Sequence, residues 1–231
     1  AGLQALGQGL GQASALHSAS LNFYFCGEIG DAGLQALGQG LGQASDLNSV
    51  SLDLRYCKKI GDAGLQALGQ ALGQLCDLHS VSLSFRYCKN IGDAGLQALG
   101  QALGSALHSV TLNFGYCKNI GDVGMQALGQ GVGQASALTS VTLHFRSCKK
   151  IRHIGAQAVI QGLGQATKLS SLDLQFQNLA LDPGAPAHAA NVRAYSRDDV
   201  VDTLERLSVV VPRSIVCFPL CGRRLQQVFP T

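Results

Sequence analysis

Apolar and polar residues alternate with a period of two in several short segments of this chain. Val50, Leu52 and Leu54 are apolar while the residues between them are polar, and the same pattern recurs at residues 81–85, 110–114 and 141–145. Alternation of this kind predicts a short β-strand with one buried face. The residues between the apolar ones must then face away from the core.

A helical period follows each predicted strand. Leu65, Leu68 and Leu72 are spaced i, i+3 and i+7, so they fall on one face of a helix. Glutamines four residues apart, such as Gln66 and Gln70, occupy the other face. An Asp begins four of these segments, and we expect its side chain to cap the free N–H groups of its own helix. These residues are Asp31, Asp62, Asp93 and Asp122.

Strand and helix together form one repeating unit. Its most regular marker is a cysteine, found at Cys26, Cys57, Cys88, Cys117 and Cys148, in steps of 31, 31, 29 and 31 residues. Repetition at this length is typical of a solenoid, in which successive strands pair in parallel and the helices line the other side. One cysteine per turn suits a buried, reduced thiol better than a disulfide framework. We therefore expect a cytoplasmic protein, with a nuclear location as the alternative.

The segment from Leu52 to Leu65 has the pattern Leu-x-Leu-x-x-Cys-x-x-Ile-Gly-Asp-x-Gly-Leu. It resembles the cysteine-containing leucine-rich repeat, and the length of the unit is similar to that of the ribonuclease-inhibitor-like subclass. The resemblance implies an α/β fold, a leucine-rich-repeat solenoid or horseshoe with parallel strands on the concave face and helices on the convex face. We assign residues 1–181 to about 5.5 such units of ~31 residues.

The composition changes after residue 181. All five prolines lie in residues 182–231, where residues 183–186 form a predicted linker. Ser196, followed by Val200 and Leu204 at helical spacing, predicts a capped amphipathic helix. We predict that residues 182–231 form a C-terminal cap on the solenoid. A partly disordered appendage of unrelated sequence is the alternative.

The regular pattern weakens before that boundary. Leu179 stands where the sixth unit should have its cysteine, and His153 replaces Asp at the start of the helix that follows Cys148. Loss of a helix cap typically costs on the order of 1 kcal/mol. We therefore expect the array to begin fraying near His153.

Charge and hydropathy limit the partners that we expect. The formal net charge of +3 is mild and does not by itself indicate nucleic acid. A row of lysines follows the cysteines, but it carries few interleaved aromatic residues and no nucleic-acid motif; it comprises Lys58, Lys59, Lys89, Lys118, Lys149 and Lys150. No run of 18 apolar residues is present, so we expect no membrane span. The chain begins inside a repeat, and we expect a fragment whose open edge associates end to end in isolation.

Three columns of side chains face away from the predicted core, one column for each outward position of the unit. The first is uniformly Ser or Thr, whereas the second and third vary between units that are otherwise nearly identical. We predict that the second and third columns bind a partner through Asn22, Asp53, Ser84, Asn113, His144, Tyr24, Arg55, Arg86 and Arg146. Arg and Tyr are frequent hot-spot residues, and Arg pairs bidentately with carboxylates. The expected partner is therefore a protein with an acidic surface; the alternative is that these arginines are simply solvated.

No catalytic, metal or cofactor site is predicted. His17, His79 and His108 occupy equivalent positions before their strands, but other units lack a histidine there. Cys217 and Cys221 have no second ligand pair for zinc nearby. The glycines match no phosphate-binding motif, and no nucleophile, base and orienting group can be assembled. We expect a protein that is not an enzyme and has no cofactor.

The expected function is a protein–protein interaction scaffold that binds its partner through the concave face. The resemblance implies the substrate-recognition segment of a ubiquitin-ligase receptor, F-box/LRR-like but without an F-box. It implies as an alternative the recognition segment of a ribonuclease-inhibitor-like or innate-immune-sensor-like protein. An expanded repeat array with no dedicated ligand is a third interpretation, which the near-identity of the units favours.

Overall fold

A computed structural model describes residues 2–13, 15–104, 106–176, 191–194 and 196–209. Within them, six helices alternate with six strands, and a seventh strand and a seventh helix follow. The elements are α1 Gly2–Gly11, β1 Ser18–Asn22, α2 Asp31–Gln43, β2 Ser49–Asp53, α3 Asp62–Leu72, β3 Ser80–Ser84, α4 Asp93–Ala102, β4 Ser109–Asn113, α5 Asp122–Gln134, β5 Ser140–Phe145, α6 His153–Gln165, β6 Ser171–Phe176, β7 Asn191–Ala194 and α7 Arg197–Val209.

Strands β1 to β6 form one parallel sheet in sequence order. Equivalent residues of successive units lie opposite each other, as Ser49 does to Ser80 and Ser80 to Ser109. The second of these steps is the short one of 29 residues, and α4 ends early, at Ala102, so the strand register is kept. Helices α1 to α6 pack against one another in the same order. The predicted α/β solenoid of parallel strands and helices is confirmed.

The core lies between the sheet and the helices. Along β2, Val50 and Leu52 are buried while Ser49, Ser51 and Asp53 are half-buried, as the alternation predicts. Four buried phenylalanines at the ends of successive strands form a stack with ring centroids 5.4, 5.6 and 6.1 Å apart; they are Phe85, Phe114, Phe145 and Phe176. Burial of each such ring contributes roughly 1.5–3 kcal/mol, so the stack ties four units together.

The repeated cysteine joins neighbouring units by a hydrogen bond. The Cys88 thiol donates to the Leu54 carbonyl at 3.2 Å, and Cys57, Cys117 and Cys148 make equivalent bonds. Burial raises the pKa of Cys88 to about 12, so the thiol stays protonated and remains a donor. The prediction of buried, free thiols is confirmed at these four positions. It is wrong at Cys26, which is exposed because no strand precedes β1 within the described residues.

The Asp at the start of each helix does not cap that helix. The N-cap residues of α2 to α5 are glycines, such as Gly61 before α3, and none of these helices is capped by a side chain of its own N-cap residue. Asp62 instead accepts hydrogen bonds from the backbone N–H groups of Gly92 and Gly95, at 2.7 and 3.0 Å, at the start of the next helix. The expectation that each Asp caps its own helix is therefore wrong: it satisfies free N–H groups of the following unit.

The same arrangement explains why the array does not fray at His153. The N–H groups of Arg152 and Gly155 bond to Asp122 of the preceding unit at 2.7 and 3.0 Å. Helix α6 is therefore capped although it lacks its own Asp, and β6 continues the sheet beyond it. The prediction of fraying near His153 is wrong.

Segments from the last fifth of the chain cover the edge of β6. Strand β7 pairs antiparallel with β6, and α7 packs against α6. The helix predicted after Ser196 is present, and the Ser196 hydroxyl accepts a hydrogen bond from the Asp199 N–H at 3.1 Å.

Several predictions concern residues outside the described part of the chain. They are the boundary at residue 181, Leu179 in place of a cysteine, the linker at 183–186 and the Cys217–Cys221 pair. No helix of the described part is long and apolar enough to cross a membrane.

Candidate partner-binding face

The sheet has one face under the helices and one polar face, which carries the first two predicted columns. Strand register aligns the second column across the sheet in the order Asn22, Asp53, Ser84, Asn113 and His144. Gln175 continues this row on β6. The structure therefore brings these five predicted residues together as neighbours in one row.

The third column does not lie on the strands. Strands β1 to β4 end at the second-column residue, and Tyr24, Arg55, Arg86, Gly115 and Arg146 occupy the turn that follows the strand or, in the fifth unit, Phe145. The interpretation of this column as outward strand residues is wrong. Its members still form a row, because the turns stack unit on unit, with backbone bonds such as Tyr56 N–H to Arg86 O at 2.9 Å.

Part of the second column has a structural task in these turns. The side-chain oxygens of Asn22, Asp53 and Asn113 accept hydrogen bonds from the backbone N–H two residues later, at 2.9, 3.2 and 3.1 Å. Asn and Asp commonly stabilise turns in this way. The recurrence of Asn or Asp in this column therefore has a local cause, independent of any partner.

Arg55 is already paired with a carboxylate. Its Nε and Nη2 atoms donate to Asp53 at 2.8 and 2.5 Å, a bidentate arrangement. Hydrogen bonding from Arg55 lowers the pKa of Asp53, and the same bond raises that of Arg55. The guanidinium also lies 4.8 Å from the centre of the Tyr24 ring. A partner would have to compete with Asp53 for this cation.

Arg86 and Arg146 differ from Arg55, because neither has a carboxylate partner among the ion pairs of the described residues. The Arg86 guanidinium lies 5.1 and 5.2 Å from the ring centres of Tyr87 and Tyr116. A Cβ at Gly115 would stand 3.5 Å from Cγ of Arg86, an ordinary van der Waals contact. Arg146 is exposed.

Sequence reasoning missed an aromatic row beside the third column. Phe25, Tyr56, Tyr87 and Tyr116 each precede the repeated cysteine, and their rings are in contact from one unit to the next. The signal was visible in the sequence, since an aromatic residue holds this position in four of five units and Ser147 holds it in the fifth. Alternation of apolar and polar residues could not reveal it, because the residue lies beyond the strand.

The far end of the polar face carries the pair His144 and Asp173, whose Nε2 and Oδ2 atoms are 3.4 Å apart. They form an ion pair whenever the imidazole is protonated. Nearer the middle, the Ser84 hydroxyl is buried without a hydrogen-bond partner in the described part of the chain.

The described residues contain no group of three or more His, Cys, Asp or Glu side chains that could hold a metal ion. His79 and His108 stack with ring centroids 5.0 Å apart at the entry to their strands. Asn48 separates His17 from this pair in the row. The lysines of the loops after the cysteines are exposed, and Lys59 pairs with Glu28 at 2.5 Å.

Comparison with known proteins agrees with the repeat observed in the structure. A family model described as Leucine Rich repeat matches residues 20–38, 50–69, 81–100 and 107–129. Each match contains part or all of one strand and at least half of the helix that follows it. No curated protein matches the chain.

Proposed function

Because this chain is a leucine-rich repeat protein, we propose that it recognises a protein partner with an acidic surface through the polar face of its sheet. Leucine-rich repeats generally mediate protein–protein interaction. One observation carries the proposal for this chain: Arg86 and Arg146 lie at the edge of a row of polar side chains on the face of the sheet opposite helices α1 to α6. No carboxylate in the described residues neutralises these two arginines. Unpaired guanidinium groups favour a partner that presents carboxylates.

The proposed site contains Tyr24, Asn22, Asp53, Arg55, Ser84, Arg86, Asn113, His144 and Arg146. Within it, Arg86 and Arg146 are the proposed principal contacts, and Tyr24 at the other end has 49% of its surface accessible. The role is non-enzymatic. We place it in a reducing, cytoplasmic or nuclear compartment, in agreement with the free buried thiols.

Substrate recognition for a ubiquitin ligase is the more specific role that we propose, with recognition in a ribonuclease-inhibitor-like or sensor-like protein as the alternative. A second candidate, an array without a dedicated ligand, is favoured by the turn bonds of Asn22, Asp53 and Asn113. Those bonds account for three of the predicted site residues without any partner.

A pull-down from cell lysate with matched charge changes tests the proposal. Arg86→Gln/Arg146→Gln removes two positive charges from the polar face, and Lys168→Glu makes the same net change in an exposed turn before β6. We expect proteins captured by the unmodified chain and by Lys168→Glu to be lost from the double variant, provided that all three melt alike by circular dichroism.

Capture of the same proteins by the double variant would contradict recognition through these arginines. Absence of any specific capture by the unmodified chain would favour the array without a ligand. The identity of the captured proteins would separate the ligase role from the sensor role.

A further inference from the structure

The aromatic row occupies backbone positions that favour glycine. Phe25, Tyr56, Tyr87, Tyr116 and Ser147, together called the tyrosine edge below, have φ angles of 64–69°. Each is the third residue of a tight turn, closed for example by the Cys57 N–H donating to Leu54 O at 3.2 Å. Gly or Asn is the usual residue there, because a side chain with positive φ costs about 1–2 kcal/mol. The chain holds an aromatic residue in four of these five turns, which indicates that the side chain has a task.

Contact between the rings explains part of this choice. Tyr56 and Tyr87 stack with ring centroids 4.4 Å apart, and Tyr87 and Tyr116 with centroids 4.3 Å apart. Such pairs contribute about 0.5–1.5 kcal/mol each, which offsets the backbone cost. Phenylalanine would stack equally well, yet three successive units carry tyrosine. Stacking therefore explains the rings but not their hydroxyl groups.

The hydroxyl groups form a row of their own. Hydrogen bonding from Tyr87 and then Arg86 lowers the pKa of Tyr116, while burial and hydrogen bonds to Tyr116 and Tyr56 raise the pKa of Tyr87. The hydroxyl groups of Tyr56, Tyr87 and Tyr116 are thus linked by hydrogen bonds, and the Ser147 hydroxyl also bonds to Tyr116.

The loops beside the tyrosine edge are positively charged. Exposed lysines stand one residue after the cysteine in four successive units, at Lys58, Lys89, Lys118 and Lys149. The aspartates that follow these loops already accept hydrogen bonds, because Asp62 and its equivalents bond to backbone N–H groups of the next unit. Arg86 adds a guanidinium 5.1 and 5.2 Å from the centres of the Tyr87 and Tyr116 rings. Hydrogen-bond donors and cations thus dominate this edge.

The same geometry argues against single-stranded nucleic acid as the ligand. Proteins that bind such strands offer ring faces on which bases stack. Here the faces of Tyr56, Tyr87 and Tyr116 cover one another, so mainly their hydroxyl ends are presented. Those ends suit a hydrogen-bond acceptor rather than a base.

We propose that the tyrosine edge, with Arg86 and the neighbouring lysines, binds an extended segment of a protein partner that is rich in Asp and Glu. The carboxylates would accept hydrogen bonds from the tyrosine hydroxyls and the Arg86 guanidinium. The inference rests on the proposed function for the partner being a protein. It adds the chemistry of the segment and extends the contact from Arg86 along the row of tyrosines in the neighbouring turns.

Fluorescence anisotropy with a fluorescein-labelled octaglutamate peptide tests this proposal, with octaglutamine as the control peptide. The informative variant is Tyr87→Phe/Tyr116→Phe, which keeps the ring stack and removes two hydroxyls. We expect it to weaken octaglutamate binding about tenfold, and Arg86→Gln to do the same, since each removes hydrogen bonds to charged groups. Lys168→Gln, which lies in a distant exposed turn, should leave binding unchanged. Matching thermal melts would show that the variants are folded.

Equal binding of octaglutamate by the unmodified chain and Tyr87→Phe/Tyr116→Phe would overturn the proposal and leave the tyrosines a packing role only. Binding of an octa-uridine probe as tight as that of octaglutamate would overturn the assignment to an acidic protein segment. Loss of a captured protein in Arg86→Gln/Arg146→Gln, together with no octaglutamate binding, would reject the tyrosine edge and leave the proposed function standing. Absence of both capture and peptide binding would reject the two together.

Discussion

Single aspartates connect each unit of this protein to the next. The Oδ1 atom of Asp31, Asp62, Asp93 or Asp122 lies 2.6–2.7 Å from the backbone nitrogen 28–30 residues later. That nitrogen precedes the following helix, so the carboxylate also lies near the positive end of that helix. One side chain thereby satisfies N–H groups that would otherwise lack a partner. At the residue scale, this bond makes the stability of one unit depend on its predecessor.

Asp62→Ala should lower the free energy of unfolding by about 1–2 kcal/mol, because the N–H groups of Gly92 and Gly95 lose their acceptor. Asp62→Asn should cost less, since an amide oxygen can still accept. Asp46→Ala is the matched control, because Asp46 is exposed and its bond within the described part of the chain is to the adjacent Ser45 hydroxyl. Urea denaturation measures all three. Equal midpoints for Asp62→Ala and Asp46→Ala would refute the assigned role.

Helices in this fold must approach more closely than usual. Neighbouring parallel strands lie about 4.8 Å apart, whereas packed helices normally lie 8–10 Å apart. Glycines reduce this mismatch at several helix pairs: a Cβ on Gly40, Gly131 or Gly162 would lie 1.9–2.0 Å from a backbone oxygen of the preceding helix. Alanine holds the same repeat position at Ala71 on α3 and Ala102 on α4. At the element scale, glycine sets the spacing of particular helix pairs, at a cost in helix propensity.

Gly131→Ala should destabilise the protein by about 1–3 kcal/mol, because its Cβ would meet the Gly100 carbonyl oxygen at 2.0 Å and the two helices must separate. Gly9→Ala changes the equivalent position of α1, where nothing lies within 4 Å of the added Cβ. This control should be neutral or stabilising by up to about 1 kcal/mol. Thermal unfolding followed by circular dichroism compares them. A stabilising Gly131→Ala would show that close approach is not required.

The two ends of the described array differ in how far their apolar residues are covered. At the first end, Leu3, Leu6 and Leu10 of α1 are only partly buried. At the other end, β7 and α7 lie over the last strand and helix, and Val200 and Leu204 are buried. Repeat arrays need such covers to shield their final apolar surface. At the scale of the whole molecule, we propose that β7 and α7 serve as the C-terminal cap.

Val200→Asp should lower the free energy of unfolding by more than about 2 kcal/mol, because it places an unpaired carboxylate at a site with 2% exposure. Asp198→Ala, at an exposed position on the same helix, should have little effect. Hydrogen exchange should show faster exchange in β6 and α6 for Val200→Asp alone. Unchanged exchange there would mean that α7 does not protect the last unit.

The amino-acid sequence alone determined the elements of the repeats and their order, but it did not reveal β7. Its two periods placed strands and helices, the spacing of the cysteines showed the repeat, and alternation identified which face of each strand is buried. These features could be predicted because each depends on residues close together in the chain. The second column of the candidate site followed for the same reason, since equal units bring equivalent residues into one row.

Only the tertiary structure decided what those residues contact. Asp62 bonds to Gly92, 30 residues away, Arg55 is neutralised by Asp53, and Tyr87 stacks between two tyrosines of other units. The third column left the strands because the backbone turns with positive φ just before each cysteine. Such features depend on how closely successive units stack and on where the chain turns. Neither quantity is encoded in a local pattern of apolar and polar residues, so the partners of individual side chains became visible only once the units were packed together.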